Sequence, residues 1–393
     1  MLGKTGTGKS TLIKNMVIQD MRLNHGVALI DPHGDLVEDL LNFVPRTRTN
    51  EVVYFNPADN ENPVAINILE ARGDDEKHLV ASSLVSVFRH LWRDFWGPRL
   101  EHILYNCVIA LMDTPGQTLL GVYRMLVDDA FRKSIVANVK DPVVKMFWVD
   151  DYENYDLRFR KEIIAPVQNK VGQLLTSPQM RNIVGQPKSS VDFGFIMDKK
   201  RILLANLSKG KVGEDKSNLL GSAIITKMYL SALERQNQPE ESRKDFYLYI
   251  DEFQNFSTDI FPSILSEARK YRLNLNIAHQ YLYQLPEGIK HAVFGNVGTV
   301  ISFRTGSYDA KELAEEMKPV FTSEDLEHLD NHHIALRLLI DGKMSHAFSA
   351  ITMPPLKQSG YEAEREIILK TSRERYATPR DVVEEKLKNW FEK

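Results

Sequence analysis

Apolar residues along the chain follow two rhythms. Short, mostly apolar runs, at 26–30, 51–55, 201–206, 246–250, 273–278 and 299–303, predict short strands buried in a mostly parallel central sheet. From 74 to 186 helical spacing takes over and predicts an inserted all-α domain. A first amphipathic helix, roughly 9–23, carries Leu12, Ile13, Met16, Val17 and Met21, and a second apolar helix covers 219–233. Residues 334–340 and 345–351 flank Asp341-Gly342, a pair that favours a tight turn, and predict a hairpin. The tail, 357–393, is charged with helical periodicity through Ile367, Ile368, Leu369, Val382, Val383, Leu387 and Trp390. It is expected to pack weakly or on a partner.

The stretch before the first helix adds chemistry to this pattern. Gly3, Lys4, Thr5, Gly6, Thr7, Gly8, Lys9, Ser10 and Thr11 fit the phosphate-loop pattern G-x-x-x-x-G-K-[ST] at every specified position. Its glycines let the backbone turn tightly enough to aim successive N–H groups at a phosphate. Lys9 adds a point charge for the β- and γ-phosphates, Ser10 offers a hydroxyl to Mg²⁺, and the helix that follows points its positive end at the same anion. The expected fold is α/β, a RecA-like P-loop nucleoside triphosphatase binding ATP with Mg²⁺. Its motor domain comprises 1–73 and 187–356, with 74–186 inserted and 357–393 as a helical tail. Such a loop normally hangs from a buried strand of about five or six residues. Only Met1 and Leu2 precede this one, so the expectation is a start further upstream or a protein without most of its first strand, truncation being favoured.

Hydrolysis needs more than a cradle. The apolar strand 246–250 ends in Asp251 and Glu252, with Asp251 where a triphosphatase places the second-shell ligand of Mg²⁺. Glu252, beside the γ-phosphate, can accept a proton from the attacking water or orient it. The strand 273–278 delivers His279 and Gln280 at its tip, and the Gln280 amide can bond both the γ-phosphate and the water. Arg269 and Arg304 are candidates for an arginine reaching a neighbouring subunit's γ-phosphate, or are surface ion-pair residues. In Asp31-Pro-His-Gly-Asp35, either Asp31 and His33 face the nucleotide or Asp35 caps the next helix.

Composition narrows the classes. With 393 residues the chain exceeds the size at which one core stops growing, so two structural units are expected. A formal net charge of −3 gives no global nucleic-acid signature, and any DNA contact must come from local basic surface. Candidates are the aromatic and arginine clusters at 88–99 and 152–161, read first as helix packing, and a flexible loop at 208–216 carrying Lys209, Lys211 and Lys216, which could equally be a surface turn before the helix 219–233. The single cysteine, Cys107, reads as a buried small hydrophobe. No apolar run approaches the ~18 residues that cross a bilayer.

The phosphate loop is followed in order by Asp31-Pro-His-Gly-Asp35, the helical insert, Ile250-Asp-Glu-Phe253, Ala278-His-Gln280, residues 296–304 and the hairpin. This ordered set resembles the conjugative, TraG/TraD-like coupling proteins of type IV secretion systems, within the wider HerA/FtsK-like superfamily of DNA-pumping ATPases. The resemblance covers nearly the whole chain up to about Pro355. It implies a homo-oligomeric ring, usually a hexamer, with nucleotide sites between subunits and DNA threaded through the middle. It also implies that 74–186 is similar to the family's all-α domain, which receives substrate or partner proteins such as a relaxase, and that Arg269 and Arg304 look like arginines given in trans. Family members typically carry N-terminal membrane helices and a complete first strand, so attachment to a membrane is expected only through residues upstream of Met1. The reading is an ATP-driven DNA translocase of the cytoplasm or the inner face of the cell membrane. The alternatives are a HerA-type DNA-processing helicase and an ATP-gated docking platform with little pumping.

Overall fold

Strands with nearly every side chain apolar need cover on both faces, and a parallel sheet provides it. In the computed structural model, which describes residues 1–392, helix α1 (Lys9–Arg22) leads into β1 (Gly26–Asp31), whose six residues are all buried. It is followed by β2 (Val52–Phe55), β3 (Ile202–Asn206), β4 (Phe246–Ile250) and β5 (Leu273–Ile277). These five form a parallel sheet in the order β2-β3-β1-β4-β5, with Ile30 level with Ala205 on one side and with Ile250 on the other. Ile13, Val17, Ile18 and Met21 of α1 pack with Val27, Leu29 and Leu204 in one core. A second sheet, β10-β7-β6, is antiparallel and joins β6 (Val300–Ser302), β7 (His333–Arg337) and β10 (Phe348–Ile351). The expected hairpin is present. Its tip pairs β8 (Leu339–Ile340) with β9 (Lys343–Met344), and Asp341 and Gly342 take φ of 49° and 77°, the positive values that a tight turn of this hand requires.

Two compact units make up the chain. The first holds residues 1–55, 193–208 and 227–371 and contains both sheets. The second, of 56–192, 209–226 and 372–393, is helical. It starts at 56 rather than 74 because the intervening segment forms none of the named strands and bonds to the helices: Ile66 donates to Ile183 O at 3.1 Å, and the Asn67 amide donates to Gln117 O and Pro187 O. Several of its aromatics are core. Phe88 stacks on Trp92 at 4.6 Å, and Trp148 and Tyr152 are buried, which accords with the packing reading. Cys107 is buried among them, and burial pushes its thiol pKa up.

Two further expectations differ from the structure. The tail does not pack weakly: Val383 and Leu387 are buried, and Arg124 lies over the Trp390 ring and donates to its carbonyl at 3.0 Å. The stretch 208–216 is not a flexible loop, since Lys209–Val212 and Glu214–Leu233 are helical and Lys209 pairs with Glu214 at 2.9 Å. Among the described residues no helix is long and apolar enough to cross a membrane.

Arg48 ties α1 to the sheet's far end. Buried to 3% exposure, it donates to Met21 O at 3.1 Å, His25 O at 2.8 Å, Lys200 O and Glu51 Oε2. The guanidinium thus satisfies carbonyls where the helix dipole is negative. Arg48→Met keeps the aliphatic bulk but abandons those carbonyls, and is expected to lower stability by about 2–3 kcal/mol, read from the midpoint of denaturant unfolding.

Candidate functional site

The phosphate loop is seated by the two residues before it. Leu2 bridges β5 and β6 in parallel sense, opposite His279 and Ser302. Its N–H donates to Ile301 O at 2.9 Å, Phe303 N–H donates to Leu2 O at 2.8 Å, and His279 N–H donates to Met1 O at 3.1 Å. Lys4 N–H then bonds Arg304 O at 2.9 Å, so the loop leaves the sheet at a fixed height. Gly3 is required by close approach, because a Cβ there would stand 2.5 Å from Phe303 Cβ. Gly8 opens α1 with φ 118°, a left-handed value that a side chain rarely adopts, and a Cβ there would meet the His332 imidazole at 3.0 Å.

Within the loop, Thr7 Oγ1 donates to Lys4 O at 2.8 Å, and the Lys9 ammonium donates to Gly3 O at 2.5 Å and Lys4 O at 3.1 Å. Lys9 is only 6% exposed, and burial lowers its pKa against the opposing pull of Glu252 and Asp251. Lys4, Thr5, Gly6 and Ser10 are exposed at the mouth, with Thr11 half-buried on the helix. The N-terminus of α1 has no side-chain cap, so no side chain of its own competes for an anion there.

The two acids sit at the carboxyl end of β4. Asp251 N–H donates to Ile30 O at 3.1 Å, and its Oδ1 accepts from Glu252 N–H at 3.0 Å. Burial first, then the negative charges of Glu252 and Asp31, push the Asp251 carboxyl up to about 6. Glu252 adopts φ 46°, ψ 51°, a left-handed conformation costing roughly 1–2 kcal/mol for a residue with a side chain. The neighbourhood holds it there: Oε1 accepts from Gln280 Nε2 at 2.5 Å and Oε2 from Gln254 Nε2 at 2.6 Å. Gln280 Oε1 in turn accepts from Thr5 Oγ1 at 3.0 Å. The result is one hydrogen-bonded path, Thr5 to Gln280 to Glu252 to Gln254, running from the loop across the ends of β5 and β4.

Sequence-expected residues separate into those that meet and those that do not. Lys9, Asp251, Glu252 and Gln280 converge. Arg269 lies exposed on the turn Ala268–Tyr271 before β5, at the opposite end of that strand from Gln280. Arg304 touches the loop through its carbonyl while its guanidinium donates to Asn331 at 3.0 Å. Asp31 takes the capping role given to Asp35, accepting from the N–H groups of His33, Leu36 and Val37, and His33 is exposed. Gln254 and His332 were not singled out by the sequence. Gln254 follows the acid pair by two positions, whereas nothing local marks His332, whose N–H reaches Thr7 O at 3.1 Å.

Comparison with known proteins bears on the fold. The sequence profile of the type IV secretion-system coupling protein DNA-binding domain matches residues 1–145. No curated protein matches the chain in sequence. Among solved structures, the unbound bacterial conjugative coupling protein TrwBdeltaN70 superposes with a TM-score of 0.65 at 13% identity, covering 89% of this chain and 83% of its own. The plasmid coupling protein TrwB in complex with ADP and Mg²⁺ gives 0.66 at 14% identity, over 91% and 85%. VirB4 of Thermoanaerobacter pseudethanolicus gives 0.61 at 15% identity, over 90% and 88%. By profile in its first 145 residues, and by fold over about nine-tenths of its length, the chain is similar to the coupling proteins of type IV secretion systems.

Proposed function

We propose that the chain is an ATP-hydrolysing motor that moves DNA, of the conjugative coupling-protein kind. The observation that carries this reading is the path from Thr5 through Gln280 to Glu252, which joins the mouth of the phosphate loop to a buried carboxylate. Lys9 is already desolvated and would exchange the carbonyls of Gly3 and Lys4 for phosphate oxygens. Ser10 and Asp251 suit Mg²⁺, which is commonly bound through one or two side chains together with substrate phosphates and water. The metal would neutralise charge developing on the β- and γ-oxygens. Glu252 would orient the attacking water or take its proton, and Gln280 would exchange a bond to Thr5 or Glu252 for one to the γ-phosphate. That exchange would make the tip of β5 sensitive to whether the γ-phosphate is present.

Supporting the substrate assignment, solved structures of TrwB are complexes with ADP and Mg²⁺ and with a non-hydrolysable ATP analogue. The matched profile is that of a DNA-binding domain, which favours DNA as the polymer moved. A homo-oligomeric ring, a hexamer by the same resemblance, would bring Arg269 of one subunit to the γ-phosphate of the next, an exposed arginine being free to reach outward. Arg304 is the second such candidate. A relaxase or other secretion-system protein would be the cargo or escort.

DNA is expected to stimulate ATP turnover, and turnover indifferent to single- and double-stranded DNA alike would refute a motor. Lys9→Ala should lose nucleotide binding in a calorimetric titration. Glu252→Gln should keep binding while kcat falls by about 10²–10⁴-fold, the usual contribution of a positioned base. Asp251 supplies a pH signature in the metal-free protein. Its native pKa, about 6 against an ordinary 3.8, means that a proton is taken up on folding. That contribution favours the native state at low pH and is lost as pH rises through about 4 to 6. Asp251→Asn should therefore flatten the stability profile across that window and raise stability above it by up to about 3 kcal/mol, measured by thermal melts without nucleotide.

A further inference from the structure

The Glu252 carboxylate is held by two glutamine amides that are anchored differently. Gln280 Nε2 donates to Oε1 at 2.5 Å and Gln254 Nε2 donates to Oε2 at 2.6 Å. Gln280 is half-buried at the tip of β5, and its own Oε1 accepts from Thr5 at the mouth of the phosphate loop. Gln254 belongs instead to the short turn Phe253–Asn255 that follows the two acids. That turn is fastened at several points. Phe253 is fully buried, its ring stands edge-on to Phe261 at 4.6 Å, and its N–H donates to Ala278 O at 2.8 Å. The Ser257 hydroxyl donates to Gln254 O at 3.1 Å. Asn255 ties down the main chain of Glu252, donating to its carbonyl from the backbone at 3.0 Å and from the side-chain amide at 2.8 Å.

The far end of the Gln254 amide is unsatisfied. Its Oε1 is buried and has no hydrogen-bond partner among the described residues, so the side chain's one bond there is the bond to Glu252. Turning the amide over would not cure this, because the oxygen would then face a carboxylate and the NH₂ group would be the orphan. An amide that served only to hold the fold together would gain little at such a place, where desolvation of the buried acceptor is not offset.

We propose that Gln254 is the positioning residue for Glu252, holding Oε2 throughout turnover while Oε1 is the oxygen that Gln280 releases to the attacking water. This rests on the reading of Glu252 as the group that orients that water or takes its proton. The two amides divide the work because of their other contacts. Gln280 has Thr5 as a second partner and can exchange bonds, whereas Gln254 has no second partner among the described residues and sits on a fixed turn. A carboxylate pinned at one oxygen keeps its plane when the other is released. Without the pin it would swing about its own terminal bond, and a misplacement of about 1 Å can cost about 10²-fold in rate. Gln254 touches neither nucleotide nor water in this assignment and acts only through Glu252.

The test uses the full chain with Gln254→Met, which keeps the length of the side chain and removes both polar atoms of the amide. Steady-state ATP turnover and the affinity for a non-hydrolysable ATP analogue are measured for Gln254→Met, Glu252→Gln and the double variant. Gln254→Met is expected to lower kcat by about 10–100-fold, with KM and analogue affinity within about twofold of the parent protein. Added to Glu252→Gln it is expected to cost nothing further, since no base is left to position. Thermal melting is read first. Should Gln254→Met fail to fold, Gln254→Asn, which keeps the amide but draws it back by one methylene, is expected to show the same loss of kcat at unchanged KM. Unchanged kcat in a folded variant would overturn the proposal, and so would analogue affinity falling in parallel with turnover. Losses that multiply in the double variant would overturn it as well, because the two residues would then act independently. Glu252→Gln turning over ATP like the parent would overturn the reading of Glu252 and this proposal together, whereas an impaired Glu252→Gln beside an intact Gln254→Met overturns this proposal alone.

Discussion

Leu2 is clamped on both sides, by Ile301 and Phe303 of one sheet and through Met1 by Ile277 and His279 of the other. That clamp sets the height at which the glycine loop leaves the sheet, and every distance in the site is measured from it. Lys9 reaches back to Gly3 O because Gly3 is pressed against Phe303. Thr5 meets Gln280 because the loop and the tip of β5 rise from neighbouring positions. A loop of the same sequence on a free chain would present the same N–H groups but not this neighbourhood.

Electrostatics then works against desolvation in a small volume. Asp31, Asp251 and Glu252 crowd the carboxyl ends of β1 and β4, where an open α/β sheet gathers its ligands. Asp31 accepts from three backbone N–H groups of the following turn and helix, and burial pushes the Asp251 carboxyl up to about 6. Lys9 offsets part of this charge: its ammonium pulls the Asp251 pKa down, and Glu252 and Asp251 pull its own up against the desolvation that lowers it. A cationic metal beside Asp251 would relieve the same tension. Glu252 is held in a left-handed backbone conformation by two glutamine amides, a strained placement of the kind that gathers at functional sites.

The helical unit follows a different logic. Its aromatic contacts include Phe88 stacked on Trp92 and Phe131 edge-on to Trp390, with Arg124 laid over the latter two rings. Arg124 serves both ends of that arrangement, lying over Phe131 and Trp390 while donating to the Trp390 carbonyl. A tail that looks merely charged and amphipathic is thereby fixed.

Local rules made much of this legible in the order of residues. Gly3 to Thr11 specify a phosphate loop by spacing, Phe246 to Ile250 specify a buried strand, and Asp251 and Glu252 follow it by necessity of chain order. Asp341-Gly342 foretells its turn because only residues tolerant of positive φ fit there. What the order of residues could not decide are contacts between positions far apart in the chain. The bond from Thr5 to Gln280 spans 275 residues, and Arg48 reaches Lys200 across 152. The helical unit's start at 56, the docking of its tail and the helical state of 209–212 also depend on partners brought together by folding. Periodicity and spacing act over one or two turns, so they determined which elements form and which chemistry they carry. Which element lies beside which is set by long-range burial and ladder pairing, and that was decided only in the tertiary structure.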